Sequence, residues 1–271
     1  MLVLLPPSEG KTAPGAGPRL DLDELSLPEL TGPRRTCIDA LVTACRTQPE
    51  AALGILGLSS RQVHEVERNA GLETAPTAPA WQVYTGVLFE ALDMPAANLR
   101  AQERLVEWVL VWSGLWGAVG LEDPIPAYRL SGSVNLPGPG RLTSFWREPL
   151  RRAMAEVTTD QVILDLRSGT YSASWTGPAE RTVAVRVIHE QGERRTVASH
   201  FNKATKGRLL AALAAGEAEP SSVAELVDAI QEAGYRVEIG RPSGAGRSPK
   251  PRILDVVVTS GGNPEQSIIP D

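Results

Sequence analysis

The chain has 271 residues, of which 42% are hydrophobic, and this is enough apolar material to bury a core, so disorder of the whole chain is excluded. A net charge of −5 and an isoelectric point near 5.4 argue against a protein that coats nucleic acid without specificity, because such binding depends on neutralising phosphates. The only two cysteines, Cys37 and Cys45, exclude a disulfide scaffold and fit a reducing cytoplasm.

The start of the chain predicts a strand, a loop and two helices. Residues 1–7 are apolar over too short a length to cross a bilayer and have no basic residues before them, so we expect a buried strand, no signal peptide and no membrane association. Residues 8–33 predict a loop. Apolar spacing then predicts a helix around residues 38–45, with both cysteines buried, and a second helix capped by Ser59 or Ser60.

A tryptophan-rich stretch follows. Residues 103–119 carry Trp108, Trp112 and Trp116 at intervals of four, which predicts a helix whose broad apolar face packs into the core. A base-stacking platform is the alternative interpretation of these tryptophans. Residues 119–149 are rich in proline and glycine and predict irregular structure.

The second half of the chain mixes helices and strands. The predicted elements are a helix at 150–157, a strand at 162–166, a hairpin of strands 182–189 and 194–201, a helix capped by Asn202 and running to Leu213, a helix at 223–233, a strand at 235–239, a mobile loop at 241–252 and a strand at 253–258. There is no steady alternation of strand and helix. We therefore predict an α+β fold, with residues 1–271 forming a single compact domain in which helices wrap a mixed β-sheet.

Lysine is rare in this chain. Only four of the 27 basic residues are lysine, namely Lys11, Lys203, Lys206 and Lys250. A lysine pKa shifts readily with environment, whereas an arginine stays protonated, so a lysine kept among arginines suggests a specific role. Codon bias is the alternative explanation.

The segment Ser8–Thr12 places Gly-Lys-Thr after an apolar strand, as in the end of a phosphate-binding P-loop. Leu5 stands where that motif requires its first glycine, so a P-loop is excluded. What remains is a loop that projects the Ser8 hydroxyl and the Lys11 ammonium from a sheet edge toward an anion or substrate. A solvated loop is the alternative.

The segment from His200 to Arg208 predicts an anion site. A helix that begins near Lys203 presents free backbone N–H groups and its positive dipole end to an anion. Lys203 and Lys206, placed in the first turn, oppose that dipole unless an anionic partner is bound. We therefore predict that His200, Lys203, Lys206 and Arg208 bind an anion or DNA, with a solvated basic face as the alternative.

Further candidates lie in loop-rich stretches. Arg129 follows Tyr128, a pairing that suits planar or phosphate ligands. Tyr84 and Tyr171 are candidate proton relays, and Ser168 is a candidate anion contact, although packing or a turn explains each equally well. The histidines lack ligand spacing and the cysteines form no C-x-x-C pair, so neither a metal site nor a cofactor is predicted.

Several segments, in the same order along the chain, resemble the YaaA peroxide-stress family. They are residues 5–11, 83–86, 112–117, 126–132, 144–146, 165–171 and 199–207. The resemblance implies a bacterial cytoplasmic protein linked to hydrogen-peroxide tolerance, with a mixed α/β fold, a positively charged cleft and a helix-hairpin-helix-like element associated with DNA binding. Glycines between Trp108 and Arg129 lead us to place that element there.

Two functions remain open at this point. One is a DNA-binding stress protein in which phosphates are neutralised by Arg129, Lys203, Lys206 and Arg208. The other is an enzyme for a small anionic or nucleobase-like substrate, with Lys11, Lys203 or Lys206 as base, nucleophile or charge stabiliser, and with Tyr84 or Tyr171 as proton relay. A scaffold protein without a site is a third alternative, and the sequence assigns no oligomeric state.

Overall fold

The strand predicted at the start of the chain is present and lies in the middle of the fold. The computed structural model describes residues 1–158, 160–192, 194–197, 201–240 and 251–259. Strand β1 (Leu2–Leu5) is buried at all four residues, which is typical of a parallel strand covered on both faces.

The remaining elements follow in chain order. The strands are β2 (Ala78–Pro79), β3 (Val109–Ser113), β4 (Gly117–Gly120), β5 (Pro124–Ile125), β6 (Asn135–Leu136), β7 (Gly140–Arg141), β8 (Ile163–Asp165), β9 (Thr182–Gln191), β10 (Arg194–Val197), β11 (Arg236–Gly240) and β12 (Arg252–Thr259). The α-helices are α1 (Thr31–Thr47), α2 (Pro49–Leu56), α3 (Val63–Ala70), α4 (Ala80–Val83), α5 (Val87–Leu92), α6 (Leu99–Trp108), α7 (Leu142–Phe145), α8 (Arg147–Val157), α9 (Gly169–Ser172), α10 (Phe201–Ala215) and α11 (Val223–Glu232). Short 3-10 helices cover Leu22–Glu24, Pro28–Leu30, Ser60–Gln62, Leu72–Thr74 and Met94–Ala96.

The main sheet has eight strands among the described residues. Its order is β11-β12-β9-β8-β1-β3-β4, and β10 pairs with β9. The pairs β1–β3, β1–β8, β8–β9 and β9–β12 are parallel, whereas β3–β4, β9–β10 and β11–β12 are antiparallel. This mixed sheet and its helices confirm the predicted fold class; the extent of the domain over residues 1–271 stays a prediction.

The sheet order determines where a ligand site is expected. The strands β3 and β8 lie on opposite sides of β1, so the direction of chain connection reverses there. In open sheets with parallel strands, ligands bind outside the carboxyl ends of the strands at such a point. The loops that follow β1, β3 and β8 are therefore the first place to look for chemistry.

The stretch at 103–119 differs from its prediction. The helix α6 ends at Trp108, and the antiparallel pair β3–β4 continues from there. The single predicted helix is wrong after Trp108, and so is the placement of a helix-hairpin-helix-like element between Trp108 and Arg129. The packing prediction is confirmed, because Trp108, Trp112 and Trp116 are all buried.

Other predictions hold with shifted ends. The hairpin is present as β9 and β10, and both Cys37 and Cys45 are buried on α1. Helix α10 begins at Phe201, one residue before the predicted cap Asn202. Its first turn is therefore 201–204, and the prediction that Lys206 shares that turn is wrong. In the described parts of the chain, no helix has the length and apolar content that a bilayer crossing needs.

Helix α10 lies against α5 through a glycine. A Cβ added at Gly207 would come within 2.3 Å of the Leu88 carbonyl oxygen, which is backbone and must shift. We expect Gly207→Ala to lower the free energy of unfolding by about 1–3 kcal/mol through overpacking. Urea unfolding measures this, with Gly54→Ala as the matched control, because a Cβ at Gly54 meets nothing within 4 Å. An unchanged stability in Gly207→Ala would contradict the close approach of the two helices.

Candidate functional site

The loop after β1 carries Lys11 and is fixed to the segment around Tyr84. The Lys11 ammonium donates to the Ser8 carbonyl at 2.8 Å, and Lys11 forms an antiparallel bridge with Tyr84. The backbone N–H of Thr85 donates to the Ser8 hydroxyl at 3.0 Å, and that of Thr12 donates to the Val83 carbonyl at 2.9 Å. The loop that carries Ser8 and Lys11 is therefore hydrogen-bonded to the segment around Tyr84, and the Lys11 amine turns back onto its own loop.

The Lys11 amine lies over two tyrosine rings. Its nitrogen is 4.1 Å from the centre of the Tyr128 ring and 5.5 Å from that of Tyr84. No carboxylate forms an ion pair with it among the described residues. Loss of solvent lowers the pKa of Lys11 to about 7, with the nearby Glu9 charge opposing and Arg129 adding to the shift. A lysine with such a pKa is partly neutral at physiological pH, so it can act as a base or nucleophile.

Below the amine, three buried hydroxyl groups form a chain. The Tyr84 and Tyr128 phenol oxygens are 2.9 Å apart, and the Tyr128 oxygen is 2.6 Å from the Ser113 hydroxyl. Tyr84 is 2% exposed and Tyr128 is 1% exposed. Burial raises the pKa of both phenols well above the ordinary value, so both stay protonated near neutral pH.

Arg129 holds the Lys11 loop from the other side. Its guanidinium donates to the Glu9 carbonyl at 3.1 Å and pairs with the Glu9 carboxylate at 3.1 Å. The Asn69 side chain fixes the Arg129 backbone, accepting from its N–H at 2.9 Å and donating to its carbonyl at 2.8 Å. We call Ser8, Lys11, Tyr84, Ser113, Tyr128 and Arg129 the Lys11 cluster.

The loop after β8 borders this cluster through Tyr171. The Gly132 N–H donates to the Tyr171 hydroxyl at 3.3 Å, and a Cβ at Gly132 would lie 2.8 Å from the Tyr171 ring. Burial raises the pKa of Tyr171. Tyr171 therefore packs against the segment that carries Tyr128 and Arg129, with a phenol that stays protonated at neutral pH.

A buried ion pair supports the same loop. Arg167 donates to the two oxygens of Asp165 at 2.9 and 2.7 Å, and its guanidinium lies 4.3 Å from the Trp112 ring centre. It also donates to the Trp175 carbonyl at 2.9 Å. These contacts fasten the end of β8 to the end of β3.

Lys206 faces the interior. Its side chain donates to the Leu166 carbonyl at 3.0 Å, and the residue is 7% exposed. Burial lowers its pKa to about 8, while the charge of Asp165 opposes the shift. Lys206 thus binds the loop after β8 and is withheld from a solvent-exposed basic face.

The other predicted site residues lie apart from the Lys11 cluster. Lys203 and Arg208 are exposed on α10, and Ser168 is exposed at the start of α9. His200 lies outside the described residues. The structure therefore brings together Ser8, Lys11, Tyr84 and Arg129, with Tyr171 beside them, and does not bring Lys203 to them.

Sequence reasoning did not select Ser113 and Tyr128 as site residues. In the sequence, Tyr128 is marked only as the aromatic neighbour of Arg129, and Ser113 only as a member of the segment 112–117. The available signal was position: Ser113 is the last residue of a buried apolar strand, where side chains reach the carboxyl edge of a sheet.

A cleft of about 410 Å³ opens beside Tyr84 and Thr85. Trp81, Phe89 and Met94 also line it, and the Phe89 ring stacks on Tyr84 at 5.4 Å. This volume lies in the range of small-molecule sites. Within the described ranges, no group of three or more His, Cys, Asp or Glu side chains is arranged to hold a metal ion.

A family model and several relatives of known sequence match most of this chain. A family model described as peroxide stress protein YaaA matches residues 1–239. A UPF0246 protein of Streptomyces coelicolor is 47% identical over 261 residues, covering 95% of this chain and 98% of that protein. UPF0246 proteins of Corynebacterium glutamicum and Corynebacterium efficiens are 40% and 42% identical, each covering 88% of this chain and 95% of the relative.

Proposed function

The chain belongs to the YaaA peroxide-stress protein family, and from that premise we propose that it is an enzyme of the bacterial cytoplasm acting on a small molecule at the Lys11 cluster. In this proposal Lys11 is the base or nucleophile and Tyr84 is the proton donor. The observation that supports it most is convergence: a desolvated amine lies over two phenols that are hydrogen-bonded to each other, and one of them, Tyr128, is also hydrogen-bonded to Ser113. Catalysis requires such convergence, whereas a broad nucleic-acid footprint does not.

The environment of each group supports this assignment. A pKa of about 7 gives Lys11 a neutral fraction at working pH, which a general base or nucleophile needs. The raised pKa of Tyr84 keeps its proton available. Arg129 is bound to Glu9 and orders the loop, so its role in the proposal is to position Lys11.

The test compares consumption of metabolites by matched variants. Purified protein is incubated with a small-molecule extract of a bacterial culture, and masses that disappear or appear are measured by mass spectrometry. We expect wild type to change at least one mass, and Lys11→Arg and Tyr84→Phe to lose that change by about 100-fold or more. Arg61→Gln and Tyr235→Phe are the controls, because Arg61 is an exposed cation and Tyr235 lies outside the cluster. Consumption that persists in Lys11→Arg would contradict the proposal.

DNA binding is the second candidate, favoured by the exposure of Lys203 and Arg208 on α10. Fewer cations are available to neutralise phosphates than the sequence predicts, because Arg129 is paired with Glu9 and Lys206 is bound to a backbone carbonyl. Fluorescence anisotropy with duplex, bubble and single-stranded DNA at low salt tests it. Binding that Lys203→Ala/Arg208→Ala removes and Lys11→Arg retains would favour this candidate, and an absence of binding would exclude it.

A further inference from the structure

Ser113 sets the direction of the hydroxyl chain. A serine oxygen has two lone pairs, and here both accept backbone N–H groups, from Leu115 at 3.0 Å and Trp116 at 3.1 Å. The Ser113 proton is therefore donated to Tyr128. Tyr128, having accepted it, can donate its own proton to the Tyr84 oxygen, which lies 2.9 Å away.

Tyr84 is the open end of this chain. In this arrangement its oxygen accepts from Tyr128, and its own proton is left without a hydrogen-bond acceptor among the described residues. If Tyr84 gives that proton away, the hydrogen bond from Tyr128 stabilises the phenolate that remains. The geometry thus makes Tyr84 an acid directed at a substrate atom that carries a lone pair.

Lys11 supplies the complementary group. Its nitrogen donates to the Ser8 carbonyl and lies over the Tyr128 ring, and no described donor points at it. In its neutral form the amine uses one N–H for Ser8 and keeps its lone pair free. A nucleophile and an acid therefore lie side by side in the Lys11 cluster, next to the cleft at Tyr84 and Thr85.

We propose that the substrate of this site is an aldehyde or ketone, and that Lys11 forms a Schiff base with it while Tyr84 protonates the carbonyl oxygen. This inference rests on the proposed function and names its substrate class. An amine that attacks a carbonyl needs an acid at the oxygen, and Ser113, acting through Tyr128, positions that acid.

The reaction balances without a further reactant. The Lys11 lone pair forms the C–N bond, the carbonyl π electrons move to oxygen, and that oxygen takes the Tyr84 proton. The nitrogen then releases one proton, which returns to Tyr84 through solvent. In the second stage the nitrogen lone pair forms C=N, the C–O bond breaks, and the oxygen leaves as water with a second proton from the nitrogen.

Reductive trapping tests the inference on the full chain. The protein is incubated at pH 7 with benzaldehyde and sodium cyanoborohydride, and adducts are located by peptide mass mapping. We expect Lys11 to be modified at least about 10-fold faster than Lys203, because the neutral amine is the nucleophile and the lowered pKa of Lys11 favours its neutral form. Tyr84→Phe is expected to slow modification of Lys11 by about 10- to 100-fold, and Tyr235→Phe to leave it unchanged.

A second measurement separates chemistry from damage to the fold. Competitive acetylation of Lys11 across pH 5–11 reports its pKa, which we expect to stay near 7 in Tyr84→Phe. Slow trapping together with an unchanged Lys11 pKa supports the acid role of Tyr84. Equal trapping in Tyr84→Phe and wild type, or modification spread evenly over the lysines, overturns the inference.

The two proposals fail in different ways. Metabolite consumption that requires Lys11 without any trapped adduct overturns the Schiff base and leaves the enzyme standing, with Lys11 as a base. A trapped adduct at Lys11 with no metabolite consumption counts against the enzyme and supports the reactivity inferred here.

Discussion

Lys11→Met is expected to increase the free energy of unfolding by about 1–3 kcal/mol at pH 7 while removing the proposed activity. The folded protein holds the Lys11 pKa near 7, below the ordinary value of 10.5, because the amine has lost solvent. Each unit of such a shift corresponds to about 1.4 kcal/mol, and we reduce the total because part of the residue stays in contact with solvent and because methionine cannot replace the hydrogen bond to the Ser8 carbonyl. Methionine carries no charge to desolvate.

The pH dependence has a definite sign. Between pH 7 and about 10.5 the unfolded chain binds the Lys11 proton and the folded chain does not, so wild-type stability rises with pH in this window. Lys206, with a pKa of about 8, also makes the free energy of unfolding rise with pH above pH 8, both in wild type and in Lys11→Met. We therefore expect the advantage of Lys11→Met to be largest at or below pH 7 and to shrink toward pH 10.

Urea unfolding at pH 6, 7, 8 and 9 measures this difference. Lys203→Met is the matched control, because its side chain is exposed and its replacement is expected to change stability by less than about 0.5 kcal/mol at every pH. A Lys11→Met protein that is less stable than wild type at pH 7, or a difference that does not vary with pH, would contradict the desolvated amine.

Asp165→Ala is expected to lower the free energy of unfolding by about 3–5 kcal/mol. The Arg167 side chain has no exposed area, and Asp165 is its carboxylate partner at 2.7 Å. Removing the carboxylate leaves a buried guanidinium with carbonyl contacts and an aromatic face as its remaining partners. The change also removes the negative charge that opposes the lowered pKa of Lys206.

Thermal and urea unfolding measure the loss. Glu148→Ala is the control, because Glu148 pairs with Arg151 and Arg152 on an exposed helix face, where solvent screens the ion pairs and the loss of stability is expected to be small. The double variant Asp165→Leu/Arg167→Met is expected to be more stable than Asp165→Ala, since it leaves no unpaired charge. Equal losses of unfolding free energy in Asp165→Ala and Glu148→Ala would show that the buried ion pair matters no more to stability than an exposed one.

Much of the fold was predictable because it depends on local patterns. The apolar run at the start of the chain, the turn between β9 and β10, and the helical spacing in α1 and α11 each identify an element from a short segment. The structure of the stretch after Trp108 was not predictable, because tryptophans four residues apart are compatible both with one long helix and with a helix followed by a buried strand. Pairing of β3 with β1, more than one hundred positions earlier, decided between them.

The candidate site was predictable residue by residue but not as an arrangement. The rarity of lysine selected Lys11 and Lys206 and left their environments open. Helix α10 has apolar residues on all sides, so its sequence does not reveal that Lys206 points inward while Lys203 and Arg208 point outward. Lys206 points inward because α10 packs next to the loop after β8, where the Leu166 carbonyl accepts the hydrogen bond from its amine.

Local sequence patterns are enough to place Lys11 after a buried strand, in a loop that is not a P-loop, and to make Tyr84 and Arg129 its candidate partners. The three-dimensional packing adds Ser113 and Tyr128 to the site and puts the Lys11 amine over aromatic rings. Local patterns do not contain this arrangement, because burial and hydrogen bonding depend on residues far apart in the chain, which the sheet order brings to one edge. The residue types supply the chemical groups, and the packing sets the pKa of each group and which of them carries the proton.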